Sequence, residues 1–353
     1  MGRVAVKKTL YYLLVFCTVV LGGVLALAVL AKYINPGSSP FMVLIGLSTP
    51  ALIIANCIAF IYWLCRWKVW AVIPVLAIAA NWSYITAMYQ FGDEKVVEDD
   101  NAIRVGTYNV CVFNNDYTGY SAKEIVDFLK ENKVDVFCMQ EYGSQGNFTT
   151  DSVDSIFSQV LKFSYAPRVE KKNGLAVYSN YPIIKHGYIP FKNSPNCALW
   201  CDIVKGNDTV RIFNAHFQTT NVSRIMRKAD KGKELAGGLA GSLENSTTEN
   251  AEKRAQQALY VRKLMKQSEL PVFLCGDFND TPASFTYQVF NEFLTDGFKK
   301  GGNGYGATYR YYGKVFRIDY IFVDKNFDVR NYHTLDKDLS DHKPVIADLE
   351  LQR

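Results

Sequence analysis

Apolar residues run almost unbroken from residue 10 to 91, interrupted only by the charges of Lys32, Arg66 and Lys68. Beyond residue 93 they alternate with polar residues in short blocks that carry nearly all the Asp and Glu. The first pattern divides into Leu10–Ala31, Phe41–Cys65 and about Val69–Tyr89. Each reaches the roughly 20 residues that cross about 30 Å of hydrocarbon as a helix. A cleaved signal peptide does not explain the first segment, which is long and closely followed by two more. Pro50, Asn56, Pro74 and Asn81 fall inside the second and third segments, where neighbouring helices are expected to satisfy them. Trp63, Trp67, Trp70 and Trp82 sit near the expected interfaces. Arg3, Lys7 and Lys8 precede the first segment, Arg66 and Lys68 separate the second from the third, and loop 32–40 holds one Lys. The positive-inside rule then predicts a cytoplasmic N-terminus, three crossings and an extracytoplasmic C-terminal region in a multi-pass membrane protein.

The second pattern predicts strands at Ile103–Val112, Val134–Glu141, Gly174–Ser179, Leu199–Val204, Thr209–Phe217, Val272–Asp277, Ile318–Val323 and Val345–Leu351. Ser121–Asn132 reads as a helix with Ala122, Ile125, Val126 and Leu129 on one face and a Ser121–Glu124 capping box. Glu252–Gln267 reads as another, and Thr281-Pro282 as an N-cap followed by a first-turn proline. Many strands with fewer helices favour two packed sheets under outer helices. The layout is a membrane region at 1–92, an acidic linker at 93–101 and a folded domain at 102–353. Residues 218–248 form a polar insertion holding Arg224, Arg227, Lys228, Lys231 and Lys233, read as a solvated segment or as a substrate lid.

Composition narrows the field modestly. The 353 residues carry a net charge of +5, too mild on its own to indicate a dedicated nucleic-acid binder. The eight cysteines do not form a disulfide framework. Cys17, Cys57 and Cys65 lie in the apolar region, and Cys111, Cys138 and Cys275 lie in strand-like runs as small buried thiols. Cys197 and Cys201 are the one pair whose bridging stays open, and without a neighbouring His they make no zinc site.

Polar residues recur where the apolar strands end. Asn109 lies in T-Y-N-V, Glu141 closes V-F-C-M-Q-E, and His216 lies in F-N-A-H-F. Asp277 and Asn279 lie in G-D-F-N-D, Asp319 in R-I-D-Y, and Asp341 and His342 in S-D-H-K-P. Taken singly, an Asp or Asn at a strand end makes a turn. Together, strand ends on one rim of a sheet can gather oxygen ligands suited to Mg²⁺ or Mn²⁺.

The ordered set, with G-L-A-V-Y-S-N-Y-P-I at Gly174–Ile183, resembles the endonuclease/exonuclease/phosphatase superfamily over about residues 102–352. The resemblance implies an α/β four-layer sandwich of two mixed sheets flanked by helices, here preceded by three transmembrane helices. It also implies metal-dependent hydrolysis of phosphate esters, with Mg²⁺ or Mn²⁺ as cofactor. By the same resemblance Glu141 would be the main metal ligand, with Asn109 and Asp341 near it. Asp277 would orient or deprotonate the attacking water, and Asn279 would hold phosphate or nucleophile. His342 would contact phosphoryl oxygens, oriented by Asp319. His216 stands where the deoxyribonuclease and sphingomyelinase branches place a second catalytic histidine and where abasic-site enzymes are expected to carry a tyrosine. Cys111 stands where abasic-site enzymes carry an aspartate, which places the chain away from DNA repair.

Residues 299–317 interleave basic and aromatic side chains, read either as a glycine-rich surface loop or as a cleft wall that recognises substrate. The expected partners are the bilayer and a phosphate ester, a lipid head group first and nucleic acid second, with no obligate protein partner evident. A metal-free scaffold is the remaining reading, and the intact set of carboxylates and histidines speaks against it.

Overall fold

A computed structural model describes residues 2–92, 101–144, 148–170, 174–221, 225 and 238–352. The linker expected at 93–101 and the basic residues expected in the insertion fall almost wholly outside these positions. The chain forms two compact units. One comprises Met1–Thr86, Asn221–Glu252 and Pro282–Gln288; the other comprises Ala87–Thr220, Lys253–Thr281 and Val289–Arg353.

In the first unit, helices α1 (Gly2–Ala31) and α2 (Pro40–Cys65) follow the first two apolar runs. Both are long and apolar enough to cross a membrane. The third run is not one continuous helix. It breaks into α3 (Val72–Ala80), preceded by a 3-10 turn at Val69–Ala71, and α4 (Trp82–Met88). The two halves are bent by 61°. Asn81 sits at the break, and its amide donates to Leu25 O at 2.8 Å and Ala77 O at 3.0 Å. That hydrogen bonding replaces the regular helical ladder and fixes the kink. Two other side-chain donors of these helices are met in the same way. Asn56 donates to Leu52 O at 2.9 Å, and the Trp63 indole donates to Thr18 Oγ1 at 2.8 Å.

The second unit holds two six-stranded sheets. One runs β10 (Thr295–Asp296), β12 (Asp319–Val323), β9 (Val272–Asp277), β8 (Asp208–His216), β7 (Cys197–Lys205), β6 (Ile183–Pro190). The other runs β13 (Phe327–Thr334), β14 (Val345–Leu351), β2 (Ile103–Asn109), β3 (Val136–Tyr142), β5 (Gly174–Ser179), β4 (Phe163–Tyr165). Only β2–β3 and β8–β9 pair in parallel among these neighbours. A short ribbon pairs β1 (Tyr89–Gln90) with β11 (Gly304–Tyr305).

The central strands are buried on two faces, which is why they read as continuous apolar runs. Val105, Val136, Cys138, Leu199, Ile212, Phe273 and Ile321 fill the space between the sheets. Tyr108, Phe137 and Met139 point to the opposite face, onto Ile125, Val126 and Leu129 of α5 (Tyr120–Glu131) and Phe157 of α6 (Thr150–Phe157). Of the strands without a sequence signal, β1 and β11 form the short ribbon, and β4, β6, β10 and β13 are all sheet edges. Their outward positions are solvated, so no apolar run marks them.

Several local expectations change. Ser121 does not cap α5: Gly119 occupies the N-cap at φ 79°, and the Asp116 carboxylate accepts from Ser121 N at 2.8 Å. Glu124 instead lies 3.5 Å from Lys337. At the helix after the G-D-F-N-D turn, α7 (Phe285–Asn291), Ser284 takes the role expected of Thr281 by accepting from Tyr287 N at 3.1 Å. Cys197 and Cys201 are both free and buried. Four residues apart on one strand, their Cα atoms stand about 13 Å apart, beyond the roughly 7 Å reach of a disulfide. Cys111 is not in a strand either, since β2 ends at Asn109.

Arg317 likewise leaves the expected cleft wall. It is wholly buried and forks onto Asp296 at 2.7 and 2.5 Å, with a further bond to Ala87 O at 2.9 Å. Asp296→Ala strands this guanidinium, and the expected cost is about 3–5 kcal/mol. A double variant, Asp296→Leu with Arg317→Met, is expected to melt well above the single one, as read by thermal unfolding.

Candidate active site

Strand direction brings the polar strand ends together. Because β8 and β9 are parallel and β12 antiparallel to β9, His216, Asp277 and Asp319 stand side by side in one register row. In the facing sheet the parallel pair β2–β3 ends with Asn109 beside Gln140, and Glu141 follows. The two rims are tied from below by buried amides. Gln140 donates to Asn214 Oδ1 at 2.8 Å, and Asn214 donates to Met139 O and Ala176 O at 3.0 Å each.

Asp277 is 1% exposed and accepts three hydrogen bonds. Its carboxylate accepts from the Asn109 amide at 3.0 Å, the Asn279 backbone at 2.8 Å and the Asn279 amide at 3.1 Å. The glycine of G-D-F-N-D is demanded by the close passage of β8, since a Cβ on Gly276 (φ +143°) would lie 1.9 Å from Ala215 O. His216 Nε2 stands 3.5 Å from Asp277 Oδ2 and 3.8 Å from Glu141 Oε1. Neither ring nitrogen of this buried histidine has a hydrogen-bond partner among the described residues. Glu141 also accepts from the Asn109 amide at 3.3 Å and keeps 31% of its side chain exposed. His342 Nδ1 meets Asp319 Oδ2 at 2.9 Å, while its Nε2 points toward Asp277 Oδ2 at 3.8 Å and Asp341 Oδ1 at 4.0 Å. All eight residues singled out in the sequence therefore share one rim.

Charge follows from this crowding. Burial pulls the His342 pKa down, but the charges of Asp319 and Asp277 and the hydrogen bond to Asp319 outweigh it and hold the ring up to about 10. His342 is thus an imidazolium at neutral pH. Burial pushes His216 the other way, against the charge of Asp277. Burial also raises Asp277, opposed by His342, and raises Glu141, opposed by the Asn109 hydrogen bond.

The donor set on this rim suits a divalent cation. Glu141 and Asp341 offer carboxylate oxygens, and Asn109 an amide oxygen that also accepts from Cys111 N at 3.0 Å, the hard donors that such cations take. Asp277, Asp319 and His342 are also close enough to share an ion, with one ligand atom of each inside 4.8 Å of the others. In that group, however, His342 Nδ1 is already engaged by Asp319.

Four supporting residues escaped the sequence reading. The Ser340 hydroxyl donates to Asn109 O at 2.7 Å and accepts from His342 N at 3.2 Å. Thr308 Oγ1 accepts from the backbone of Ile318 and Asp319 at 3.0 and 3.1 Å. Arg310 N donates to Asp341 O at 2.9 Å, and Arg310 Nε donates to His342 O at 3.1 Å. The Tyr309 ring meets the His342 ring edge-on at 5.2 Å. Ser340 stood unassigned in S-D-H, and the other three in the basic-aromatic stretch, which this geometry ties to the site.

The family model described as Endonuclease/Exonuclease/phosphatase family matches residues 106–342. The chain belongs to the endonuclease/exonuclease/phosphatase family. Members of this family are hydrolases that act on phosphate esters, typically with divalent metals. A second model, for a domain of unknown function, matches residues 11–88. Among curated proteins none matches. An endonuclease/exonuclease/phosphatase from Bacteroides vulgatus superposes with a TM-score of 0.52 at 20% identity, over 71% of this chain and 99% of that one. A mannosyl-6-phosphatase from Bacteroides thetaiotaomicron does so with 0.50 at 18%, over 70% and 99%. The human Nocturnin catalytic domain with bound sulfate does so with 0.50 at 15%, over 72% and 97%. At these identities the likeness establishes the shared fold, two mixed sheets flanked by helices.

Within this family fold Asp319 raises the His342 pKa by both its charge and its hydrogen bond, with Asp277 adding to the effect. Asp319→Asn is expected to lower the His342 pKa from about 10 toward the ordinary imidazole range. In ring-nitrogen NMR of chelator-treated protein at pH 8.5, a value chosen as roughly midway between those two, the wild-type ring should be cationic and the variant ring neutral.

Proposed function

We propose that the chain is a membrane-tethered phosphoesterase that uses Mg²⁺ or Mn²⁺ to cleave a P–O bond with an activated water. The observation that carries this reading is the single register row of His216, Asp277 and Asp319 facing Asn109 and Glu141, with His342 paired to Asp319. Asn109, Glu141 and Asp341 would hold the cation, which supplies positive charge against the phosphoryl oxygens. Glu141 is preferred to Asp319 as a ligand because its carboxylate is partly open, whereas Asp319 is committed to His342. Asp277 orients the attacking water and takes its proton, a task suited to a carboxylate whose pKa burial has raised. Asn279 steadies phosphate or nucleophile, and His342, kept cationic by Asp319, donates to the oxygens where charge builds in the transition state. His216, with both ring nitrogens unpartnered, is the second donor.

Residues 1–92 form the membrane region, 93–101 the linker and 102–353 the catalytic domain in this reading. The bent third segment counts as one crossing, so the N-terminus is cytoplasmic and the catalytic domain extracytoplasmic. The tether favours a phospholipid head group as substrate. Exposed Tyr311 and Tyr312 beside Tyr309 supply the specific observation for a nuclease as the second reading, since such rings stack on bases. The likeness to a mannosyl-6-phosphatase adds sugar phosphates to the substrates to be screened.

Chelation is expected to abolish hydrolysis and Mg²⁺ or Mn²⁺ to restore it. Asp277→Asn should lower turnover by about 10²–10⁴-fold, the usual contribution of a positioned base. Phospholipid vesicles should be hydrolysed faster than double-stranded DNA by the full-length protein, and the reverse ranking would select the nuclease reading. Protease added to intact, right-side-out vesicles should digest the catalytic domain; protection would put it in the cytoplasm.

A further inference from the structure

Glu141 reaches the rim through a break in its own strand. Along β3 the side chains alternate: Met139 faces the helix side, whereas Gln140 faces the opposite sheet and bonds Asn214. Strict alternation would turn Tyr142 to the same face as Gln140. Instead the register against β5 shifts between Gln140 and Tyr142, and Tyr142 lies on the helix side. Glu141 is the extra residue of a β-bulge, left-handed at φ 51°. A one-residue slip would send every side chain beyond it to the other face. The bulge therefore decides whether the carboxylate reaches the rim at all.

Tyr142 is secured on its face by a set of contacts that the hydrolytic reading does not use. Its hydroxyl and that of Tyr178 both donate to Asp154 Oδ1 of α6, and the two phenol oxygens lie 3.1 Å apart. Arg168 donates to the other Asp154 oxygen at 3.0 Å. Gly174 pairs with Tyr142, and a Cβ there would lie 1.8 Å from Tyr142 O, so β5 admits the bulge only with glycine. The same ring also packs edge-on against Phe113, with centroids 6.1 Å apart. Phe113 belongs to a second strained segment, Cys111 to Asn115, in which five successive non-glycine residues have φ between 47° and 55°. That segment starts two residues after Asn109, whose side-chain oxygen accepts from Cys111 N at 3.0 Å. One tyrosine thus touches the strained turns beside two of the residues assigned to the cation.

We infer that Tyr142, held by Asp154 and Tyr178, is a positioning residue that presets Glu141 and Asn109 for a divalent cation. The inference rests on the proposed assignment of Glu141 and Asn109 as cation ligands. Removing the phenol hydroxyl leaves every proposed ligand in place but lets the bulge relax, so cation affinity falls while chemistry at saturating cation persists.

Mn²⁺ binding to the full-length protein, followed by electron paramagnetic resonance, tests this. Tyr142→Phe is expected to weaken Mn²⁺ affinity about 10-fold, the lower end for loss of groups that orient a metal ligand. Turnover should recover at high Mn²⁺. Asp154→Asn, on a more exposed side chain, should act in the same direction and serves if the tyrosine variant folds poorly. Glu141→Ala is the reference and should abolish the site. If Glu141→Ala binds Mn²⁺ as the wild type does, the cation assignment fails and the inference with it. If Glu141→Ala loses the site while Tyr142→Phe and Asp154→Asn keep wild-type affinity, the positioning role of Tyr142 is overturned and the cation assignment stands.

Discussion

The rim of the sandwich is governed by the cost of gathering like charges where water is scarce. Asp277 and Asp319 are each 1% exposed, and Glu141 and Asp341 stand beside them. An isolated buried carboxylate neutralises rather than stay charged. Here one charged imidazole, two amides and backbone donors hold the group together. The protein answers part of the deficit with His342 and leaves an opening for the rest at Glu141, whose side chain alone among the three acids on β3, β9 and β12 stays 31% exposed. A phosphate ester brings still more negative charge, so a cation that binds both is the economical complement.

Holding that arrangement requires strain elsewhere. Glu141, Asn279 and the run from Cys111 to Asn115 all adopt left-handed backbone without being glycine. Each such residue costs about 1–2 kcal/mol, and these conformations persist only where packing over-determines them. The surrounding core is suited to that task. Phe113, Phe157, Tyr142 and Tyr178 interlock on the helix side, and the Gln140–Asn214 amides lock the two sheets at the opposite side. Rigidity at the site is thus drawn from the core beneath it.

The unit with the apolar helices follows the same rule of local satisfaction. Asn56, Asn81 and Trp63 each find a partner on a neighbouring helix. Pro50 sits within α2, where the carbonyls it frees are tolerated when neighbours meet them. Asn81 shows that this satisfaction has a geometric consequence, because the bonds it makes break the third run in two.

The sequence by itself determined the family, the central strands and the identity of all eight rim residues. Strands buried on both faces need unbroken apolar runs, and chemistry that needs carboxylate, amide and imidazole leaves them visible where those runs stop. Hydropathy likewise announced the long apolar helices. What only the tertiary structure decided are the features that depend on partners distant in the chain. The edge strands β4, β6 and β13 are defined by pairing and not by apolarity. Gly119 took the N-cap of α5 while Asp116 accepts from Ser121 N, and Arg317 left the expected cleft wall for Asp296. Ser340, Thr308, Arg310 and Tyr309 gained their places only through the segments they tie to the rim. Above all, period-two alternation predicts the wrong face for Glu141. The bulge that corrects it arises from Gly174, Asp154 and Tyr178 closing around Tyr142, three contacts that no local pattern contains.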